Sequence, residues 1–365
     1  MTTWDRQDKP LAREFKKISR IIGQLDLTGV SPAPAEVGII IPDEWAKPHG
    51  DLSRSGLTGP EVIPYLSTQD GDAIPGRPQP DVSSGNQWLM SSVLTSFILA
   101  RRANLKADFP REYSDWSKHQ MVFLPSPLTG TSDPFLTHVH SDFYETAKQY
   151  VQNGGFLYAS VASDGAIPEM SSLFGARLVD RAPSTEVTLK IVQPFGDLKP
   201  GDTFHYNVPD QSIQSWGTLL EVTTGKVIAV DQENRPVLVI NNLGRGKTLL
   251  SAYPLEHYLA NVPAVFDHSE NTHQIYQAFR DWAGVHPAFW TDQPAIEVSA
   301  LNGDKRGYAV LVNHSGDSQS VTVSTSLNAG TLSRITEQGS VPVQMNESSW
   351  KVQLGPYEGT IVEWK

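Results

Sequence analysis

The sequence predicts an α/β domain with a parallel sheet and flanking helices, followed by a small all-β sandwich domain. Short, continuously apolar runs such as Val37–Ile41 and Met121–Leu124 are typical of strands that are buried on both faces. Helical patterns separate these runs, and a β-α-β-α-β order indicates a parallel sheet. Beyond residue 295, alternating apolar and polar residues between Gly, Asn, Asp and Ser are typical of an antiparallel sandwich.

The first predicted element is a helix over residues 10–25, where Pro10 suits the first helical turn. Its apolar residues recur every three or four positions and so share one face: Leu11, Phe15, Ile18, Ile22 and Leu25. After the strand at Val37–Ile41, residues 43–85 are rich in Pro, Gly, Asp and Ser. A loop of this length is uncommon inside a compact domain and is often functional or disordered.

The rest of the chain alternates helices and strands at first and then turns to strands and hairpins. The predicted elements in chain order are a helix at Trp88–Ala103, strands at Ala107–Phe109 and Met121–Leu124, a helix at Ser141–Val151, a strand at Phe156–Ser160, a short helix at residues 169–175, strands at Val187–Val192, Leu219–Val222, Val227–Val230, Val237–Ile240 and Thr248–Ala252, a helix at residues 272–283, and strands at Tyr308–Val312, Ser320–Val323, Trp350–Leu354 and Thr360–Trp364. We therefore expect a connecting helix in residues 1–34, an α/β domain in residues 35–290 with a β-rich insertion near 185–250, and the sandwich in residues 295–365.

Charge and composition exclude several classes of function. The chain carries 40 Asp and Glu against 29 Lys and Arg, a net charge of −11, which disfavours nucleic acid and anionic membranes as partners. No apolar run approaches the ~20 residues of a membrane span. The absence of cysteine excludes disulfides, thiolate metal sites and cysteine nucleophiles together. The first residues are polar and show no secretion signal, so we expect a cytoplasmic protein. We also expect that it uses no cofactor.

Four stretches resemble parts of one group of sugar-cleaving enzymes. Asp8–Phe15 is similar to the segment that follows the last strand of a (β/α)8 barrel, and Tyr150–Leu157 is similar to a Tyr-Val-x-x-Gly-Gly-x-Leu pattern. Gly244–Glu256 and Val312–Ser315 are the other two. In this order, the stretches resemble two domains that follow the barrel in family 42 β-galactosidases. One is a class I glutamine-amidotransferase-like domain, which is called the trimerisation domain in that family, and the other is a terminal β domain.

The resemblance implies a flavodoxin-like α/β fold and a non-catalytic accessory or oligomerisation role in a glycoside hydrolase. The catalytic carboxylates of the resembled enzymes lie on barrel strands, for which the residues before Asp8 leave no room, so no catalytic residue is carried over. The partner that the resemblance implies is a glycoside-hydrolase barrel, in the same polypeptide or in another one. Further copies of this chain are the alternative.

Two motifs invite catalytic or phosphate-binding interpretations. A working amidotransferase needs a cysteine on the turn after Phe156–Ser160, and Ser163 is a poor substitute because Val161 breaks the Gly-x-Ser-x-Gly signature. Gly244–Lys247 lacks the earlier glycine of a phosphate loop, and the predicted strand at Thr248–Ala252 follows it in place of a helix. We therefore predict a polar loop at Ser163 and a hairpin turn at Gly244–Lys247.

Two other functions stay open. A carbohydrate-binding protein would use exposed aromatic faces together with polar neighbours. The candidate residues for such a site are Trp45, Trp216, His138, His140, Asp142 and Asp164. A stand-alone hydrolase would use the histidines and aspartates of this set. His138 and His140 have a spacing that zinc accepts, but a structural zinc site needs about four ligands and no second cluster has a matching spacing, so we expect no metal.

Overall fold

The computed structural model describes residues 10–41, 82–125, 143–163, 170–211, 215–267, 270–304, 306–327 and 330–365. In these residues the helices are α1 (Pro10–Ile22), α2 (Val82–Arg102), α3 (Phe143–Gln152), α4 (Met170–Phe174), α5 (Leu255–Ala260) and α6 (His273–Ala283), with a 3-10 turn at Val265–Asp267. The strands are β1 (Ser31–Pro32), β2 (Val37–Ile39), β3 (Ala107–Asp108), β4 (Met121–Leu124), β5 (Phe156–Ser160), β6 (Ala176–Ala182), β7 (Glu186–Ile191), β8 (Thr203–Asn207), β9 (Gly217–Val222), β10 (Lys226–Val230), β11 (Pro236–Leu243), β12 (Gly246–Ser251), β13 (Phe289–Thr291), β14 (Ile296–Asn302), β15 (Gly307–Asn313), β16 (Gln319–Thr325), β17 (Leu332–Thr336), β18 (Gly339–Val343), β19 (Ser349–Leu354) and β20 (Gly359–Trp364).

The described chain divides into two compact units and is rich in β-sheet. Unit 1 combines residues 10–34, 104–106 and the described part of 286–365, and unit 2 combines residues 35–41, 82–103 and the described part of 107–285. The segment before residue 35, which we expected to form a separate connection, belongs to the same unit as the C-terminal strands. Its strand β1 pairs antiparallel with β14, which ties this segment to the sheet.

Unit 2 is built on a nine-stranded sheet in the order β3-β2-β4-β5-β12-β11-β10-β7-β8. The first five strands of this order are mutually parallel, and the last four continue the sheet with antiparallel neighbours. The β-rich insertion that we expected near residues 185–250 is therefore mostly an extension of the main sheet. In the described part of unit 2, β9 pairs with β6, which precedes the insertion, and these two strands form a separate two-stranded sheet.

Local sequence explains the centre of this sheet. All four residues of β4 are buried, as expected for a continuously apolar strand between two parallel neighbours. Helix α3 buries Phe143, Ala147 and Val151, which lie four residues apart on one face. Gly155 joins α3 to β5, and any Cβ there would lie 2.2 Å from the ring of Tyr150. The tyrosine and glycine of the Tyr-Val-x-x-Gly-Gly-x-Leu pattern are thus a packing pair.

Unit 1 contains two antiparallel sheets that share one apolar core. Their strand orders are β1-β14-β15-β20-β17-β18 and β13-β16-β19. The buried residues of the core come from strands of both sheets and from the segment after β1: Ala33, Phe289, Ile296, Ala300, Ala309, Leu311, Val321, Val323, Leu332, Trp350, Val352, Leu354 and Val362. Helix α1 ends at Ile22, three residues before the predicted end, because Gln24 and Leu25 donate to the carbonyls three residues earlier in tightened turns.

None of the helices in the described residues is long and apolar enough to cross a membrane.

Candidate functional site

Parallel strands bring their carboxyl ends to one edge of a sheet, which is where ligands bind in open α/β sheets. In unit 2 this edge follows β2, β4, β5 and β12. By chain order, Trp45 follows β2, Asp164 follows β5, and three polar candidates lie between β4 and α3: His138, His140 and Asp142. These five residues lie outside the described part of the chain, so the structure does not place them.

Trp216 is the candidate that the structure places. It is half-buried, and its carbonyl accepts a hydrogen bond of 2.9 Å from the backbone N–H of Ser163, just beyond β5. Trp216 therefore lies at the carboxyl edge. Its indole Nε1 is buried and has no hydrogen-bond partner among the described residues. An indole N–H that solvent cannot reach is not available to a sugar hydroxyl, so only the ring face of Trp216 remains for such a contact.

A buried carboxylate at this edge is the feature that sequence reasoning missed. Glu256 follows β12 and is fully buried. Its Oε1 accepts hydrogen bonds from the hydroxyls of Tyr158 and Tyr276, both at 2.7 Å, and its Oε2 accepts one of 2.5 Å from Ser160. Ser96 of α2 lies 2.8 Å from the hydroxyl of Tyr276 and extends the network. The group joins β5, α2, α5 and α6.

The chemistry of this network is that of a structural element. Burial, reinforced by the charge of Glu256, raises the pKa of Tyr158 and of Tyr276 well above the usual value, so both phenols keep their protons and remain donors. Three hydroxyls donate to the carboxylate, and Glu256 is fully buried, so its carboxylate is out of reach of a substrate. A carboxylate held in this way orients helices and is not placed to attack or to protonate a substrate.

Ser215 and His257 form a second pair whose distance alone would suit a nucleophile and its base. Ser215 Oγ lies 2.9 Å from His257 Nε2, while the amide nitrogen of Asn261 lies 3.4 Å from His257 Nδ1. The same amide nitrogen donates a shorter hydrogen bond of 2.8 Å to the carbonyl of His257, so the longer contact does not set the position of the imidazole proton. Burial lowers the pKa of His257 to about 4, and Ser215 is fully buried.

The Gly244–Lys247 motif is a hairpin, which confirms the prediction made from its sequence. Leu243 pairs with Gly246 across a two-residue turn, and Gly244 adopts a φ of 61°, in the left-handed region that favours glycine. Lys247 donates to the carbonyl of Trp282 at 2.5 Å and stands 4.7 Å from the centre of its ring. The lysine thus fastens β12 to α6 and does not face a phosphate.

Within the described ranges, no group of three or more His, Asp or Glu side chains is arranged to hold a metal ion. The histidines with metal-like spacing, His138 and His140, fall outside these ranges. In the described residues, the carboxyl edge thus carries the buried, hydrogen-bonded Glu256 network and the half-buried Trp216.

Comparison with known proteins adds a family. A family model described as the β-galactosidase trimerisation domain matches residues 86–276, more than half of the 365-residue chain. No curated protein sequence matches the chain. Solved structures of similar fold include β-galactosidases from Rahnella sp. R3 (15% identity, TM-score 0.62, 99% of this chain and 46% of that chain), G. stearothermophilus (13%, 0.62, 100% and 45%) and Bacillus circulans sp. alkalophilus (15%, 0.60, 98% and 45%).

These structures share the fold with this chain, and the chain spans less than half of their length. The region that the family model matches contains β3, β4, β5 and β7 to β12, together with most of α2 and the residues of the Glu256 network. The chain belongs to the β-galactosidase trimerisation domain family.

Proposed function

We propose that this chain is the non-catalytic accessory part of a glycoside hydrolase and that it packs against a catalytic (β/α)8 barrel. The barrel lies in another chain or in a longer form of the same polypeptide. One observation carries the proposal: the G. stearothermophilus β-galactosidase aligns with 100% of this chain, which accounts for 45% of its own length. More than half of that enzyme therefore has no counterpart here, and glycosidases keep their catalytic carboxylates as a pair at one site.

The topology supports a flavodoxin-like, amidotransferase-like fold for unit 2. Numbered in chain order, the five parallel strands β2, β3, β4, β5 and β12 lie in the spatial order 2-1-3-4-5, which is the flavodoxin-like order. The cysteine that amidotransferase chemistry requires is missing from the chain. In unit 1, the apolar core that two antiparallel sheets share supports a sandwich.

The state of the polar groups supports a role without catalysis. Glu256 accepts hydrogen bonds from three hydroxyls and is fully buried, and the His257–Ser215 pair is buried as well, so neither group is placed to act on a substrate as a base. The family description supports association with further copies of the chain as part of the same role.

Turnover of aryl glycosides tests this proposal. We expect the purified chain to hydrolyse none of a panel of aryl β-galactosides, α-fucosides and β-mannosides, and we expect activity to appear when a catalytic barrel is bound. Turnover that survives repurification, remains proportional to this chain and is lost in the Glu256→Gln variant would contradict the accessory role. The Tyr357→Phe variant, at a 74% exposed position, is the matched control.

Sugar binding at the carboxyl edge is the second candidate function, because Trp216 lies at the edge where open α/β sheets bind ligands. Calorimetry with galacto-oligosaccharides tests it, and we expect the Trp45→Ala, Trp216→Ala double variant to lose the heat of binding. Absence of binding by the parent chain rejects this function. The stand-alone hydrolase would use His138, His140, Asp142 or Asp164, and its activity should be lost in the His140→Ala variant. A metal-free parent without turnover removes that alternative.

A further inference from the structure

A cavity of about 500 Å³ lies at the amino ends of the parallel strands β4 and β5, the sheet edge opposite to the carboxyl edge. One wall is the loop of residues 114–120, which leads into β4. The other wall is the C-terminal half of α3 with the turn into β5. We call this space the amino-edge cavity. Its volume falls in the range of about 300–1,000 Å³ that is typical of small-molecule sites.

Hydrogen bonds hold the two walls of the amino-edge cavity in place. The hydroxyl of Tyr150 shares its proton between the carbonyls of His119 at 3.0 Å and Gln120 at 2.9 Å, which fastens the loop to α3. Burial raises the pKa of Tyr150, so the phenol keeps this proton. Within the loop, the buried Trp116 donates from its indole to the carbonyl of Arg111 at 3.1 Å. Walls that are fixed before a ligand arrives lose little conformational freedom when it binds.

The polar side chains that line the amino-edge cavity include three neutral amides and one carboxylate. Gln120, Gln149 and Asn153 are exposed and make no side-chain hydrogen bond in the described part of the chain. Each amide offers both a donor and an acceptor, and a hydroxyl group combines the same two functions. The acid is Asp115, whose pKa is lowered by hydrogen bonds from Ser117 to its Oδ1, so the carboxylate is ionised at neutral pH.

The charge of the lining disfavours an anionic ligand. Among the described residues that line the cavity there is no lysine or arginine, and His119 is engaged with Asp108 at 2.6 Å. Arg245 lies outside the lining and donates to the carbonyl of Asn153 at 2.9 Å. The carboxyl end of α3 carries a partial negative charge, which also favours ligands that donate hydrogen bonds. A ligand with many hydroxyl groups and no negative charge suits this lining.

Aromatic side chains supply an apolar part of the lining. Phe156 and Tyr150 are half-buried, and the ring of Trp116 packs 5.9 Å from that of Tyr150 and 5.1 Å from that of Phe143. An aromatic ring packs well on the apolar C–H face of a pyranose. Amides and a carboxylate beside such rings form the combination of apolar surface and few polar groups that small-molecule sites use.

We propose that the amino-edge cavity binds a neutral oligosaccharide, with Gln120, Gln149, Asn153 and Asp115 paired to its hydroxyl groups. This inference goes beyond the accessory role, because it requires neither a barrel nor catalysis. It also differs from sugar binding at Trp216, which lies at the opposite edge of the sheet. The cavity would hold a saccharide without cleaving it, because glycosidases need two carboxyl groups and its lining has one.

Calorimetry with galactotriose tests the inference in a Trp216→Ala chain, in which the ring at the carboxyl edge makes no contribution. We expect this chain to bind galactotriose and the added Gln120→Ala and Gln149→Ala substitutions to weaken binding at least about 10-fold, because two hydrogen-bonding groups are lost. The matched control is Gln152→Ala, which removes an exposed amide of the same helix outside the lining and should leave binding unchanged. A 6-sulfated galactotriose should bind more weakly than galactotriose because Asp115 repels it.

Absence of binding by the Trp216→Ala chain, or equal binding after the two glutamine substitutions, overturns the inference and leaves the accessory function standing. Tighter binding of the sulfated sugar overturns the assignment of a neutral ligand. Hydrogen exchange on the parent chain gives a readout that needs no substitution. Galactotriose should slow the exchange of backbone amides in residues 114–120 and 149–156, and protection confined to other residues would show that the cavity is not the site.

Discussion

The hydroxyl of Tyr276 is expected to contribute more to stability than the hydroxyl of Tyr158, although both donate to the same oxygen of Glu256 at 2.7 Å. Replacing either tyrosine by phenylalanine removes one hydrogen bond to a carboxylate, at a cost of about 1.5–3 kcal/mol. Tyr276→Phe also removes the acceptor for Ser96, whose hydroxyl is fully buried and 2.8 Å away. Leaving that donor unpaired adds about 1–3 kcal/mol. The Ser96 contact therefore makes Tyr276→Phe the more damaging change.

Urea unfolding followed by tryptophan fluorescence measures these differences in the free energy of unfolding. In the Ser96→Ala background, Tyr276→Phe should cost no more than Tyr158→Phe costs in the parent, because no donor is then left unpaired. Tyr357→Phe, at a 74% exposed position, serves as the control and should stay within about 0.5 kcal/mol of the parent. Equal costs for the two buried tyrosines, or additivity between Ser96→Ala and Tyr276→Phe, would refute the assigned direction of the network.

Two further predictions concern pH and backbone conformation. Burial lowers the pKa of His257 and of His273 from 6.5 to about 4. The free energy of unfolding is therefore highest above pH 6.5 and falls by about 3 kcal/mol per histidine as the pH drops toward 4. In urea titrations at several pH values, the His257→Gln variant should show a smaller decline than the parent, and an unchanged decline would count against the lowered pKa of His257. In thermal unfolding, Gly244→Ala should be more destabilising than Gly29→Ala by at least about 1 kcal/mol. Both glycines have a positive φ, but only a Cβ at Gly244 would meet a backbone carbonyl, that of Gln152, at 2.6 Å. Equal losses of stability in the two variants would argue against this contact.

Sequence patterns located the centre of the sheet and missed parts of its edges. Met121–Leu124 and Phe156–Ser160 are strands with the predicted bounds, because four or five consecutive apolar or small residues between turn signals suit a strand that is buried on both faces. Strand β8 (Thr203–Asn207) was not predicted. It lies at the sheet edge and alternates exposed and buried residues over only five positions, so polar residues dominate its composition. Its identity depends on pairing with β7, which local sequence does not encode.

The Glu256 network illustrates why the site was harder to predict than the fold. Glu256 stands 98 residues from Tyr158 and 20 residues from Tyr276 in the chain, so no local pattern connects them. Glu256 ends one of the stretches that carry the family resemblance, but nothing in that stretch indicates that the carboxylate is buried among tyrosine hydroxyls. The hairpin at Gly244–Lys247 was predictable because its signals, two glycines and a following apolar strand, are local.

We propose that this chain packs against a catalytic barrel and hydrolyses no glycoside by itself. Native mass spectrometry of the protein purified from its source, with aryl β-galactoside turnover measured on the same fractions, decides this. We expect the chain to elute in a complex with a barrel-sized protein or segment, turnover to occur in those fractions, and the separated 365-residue chain to be inactive. A chain that elutes without any barrel and hydrolyses the glycoside in proportion to its own amount would show that the proposal is wrong.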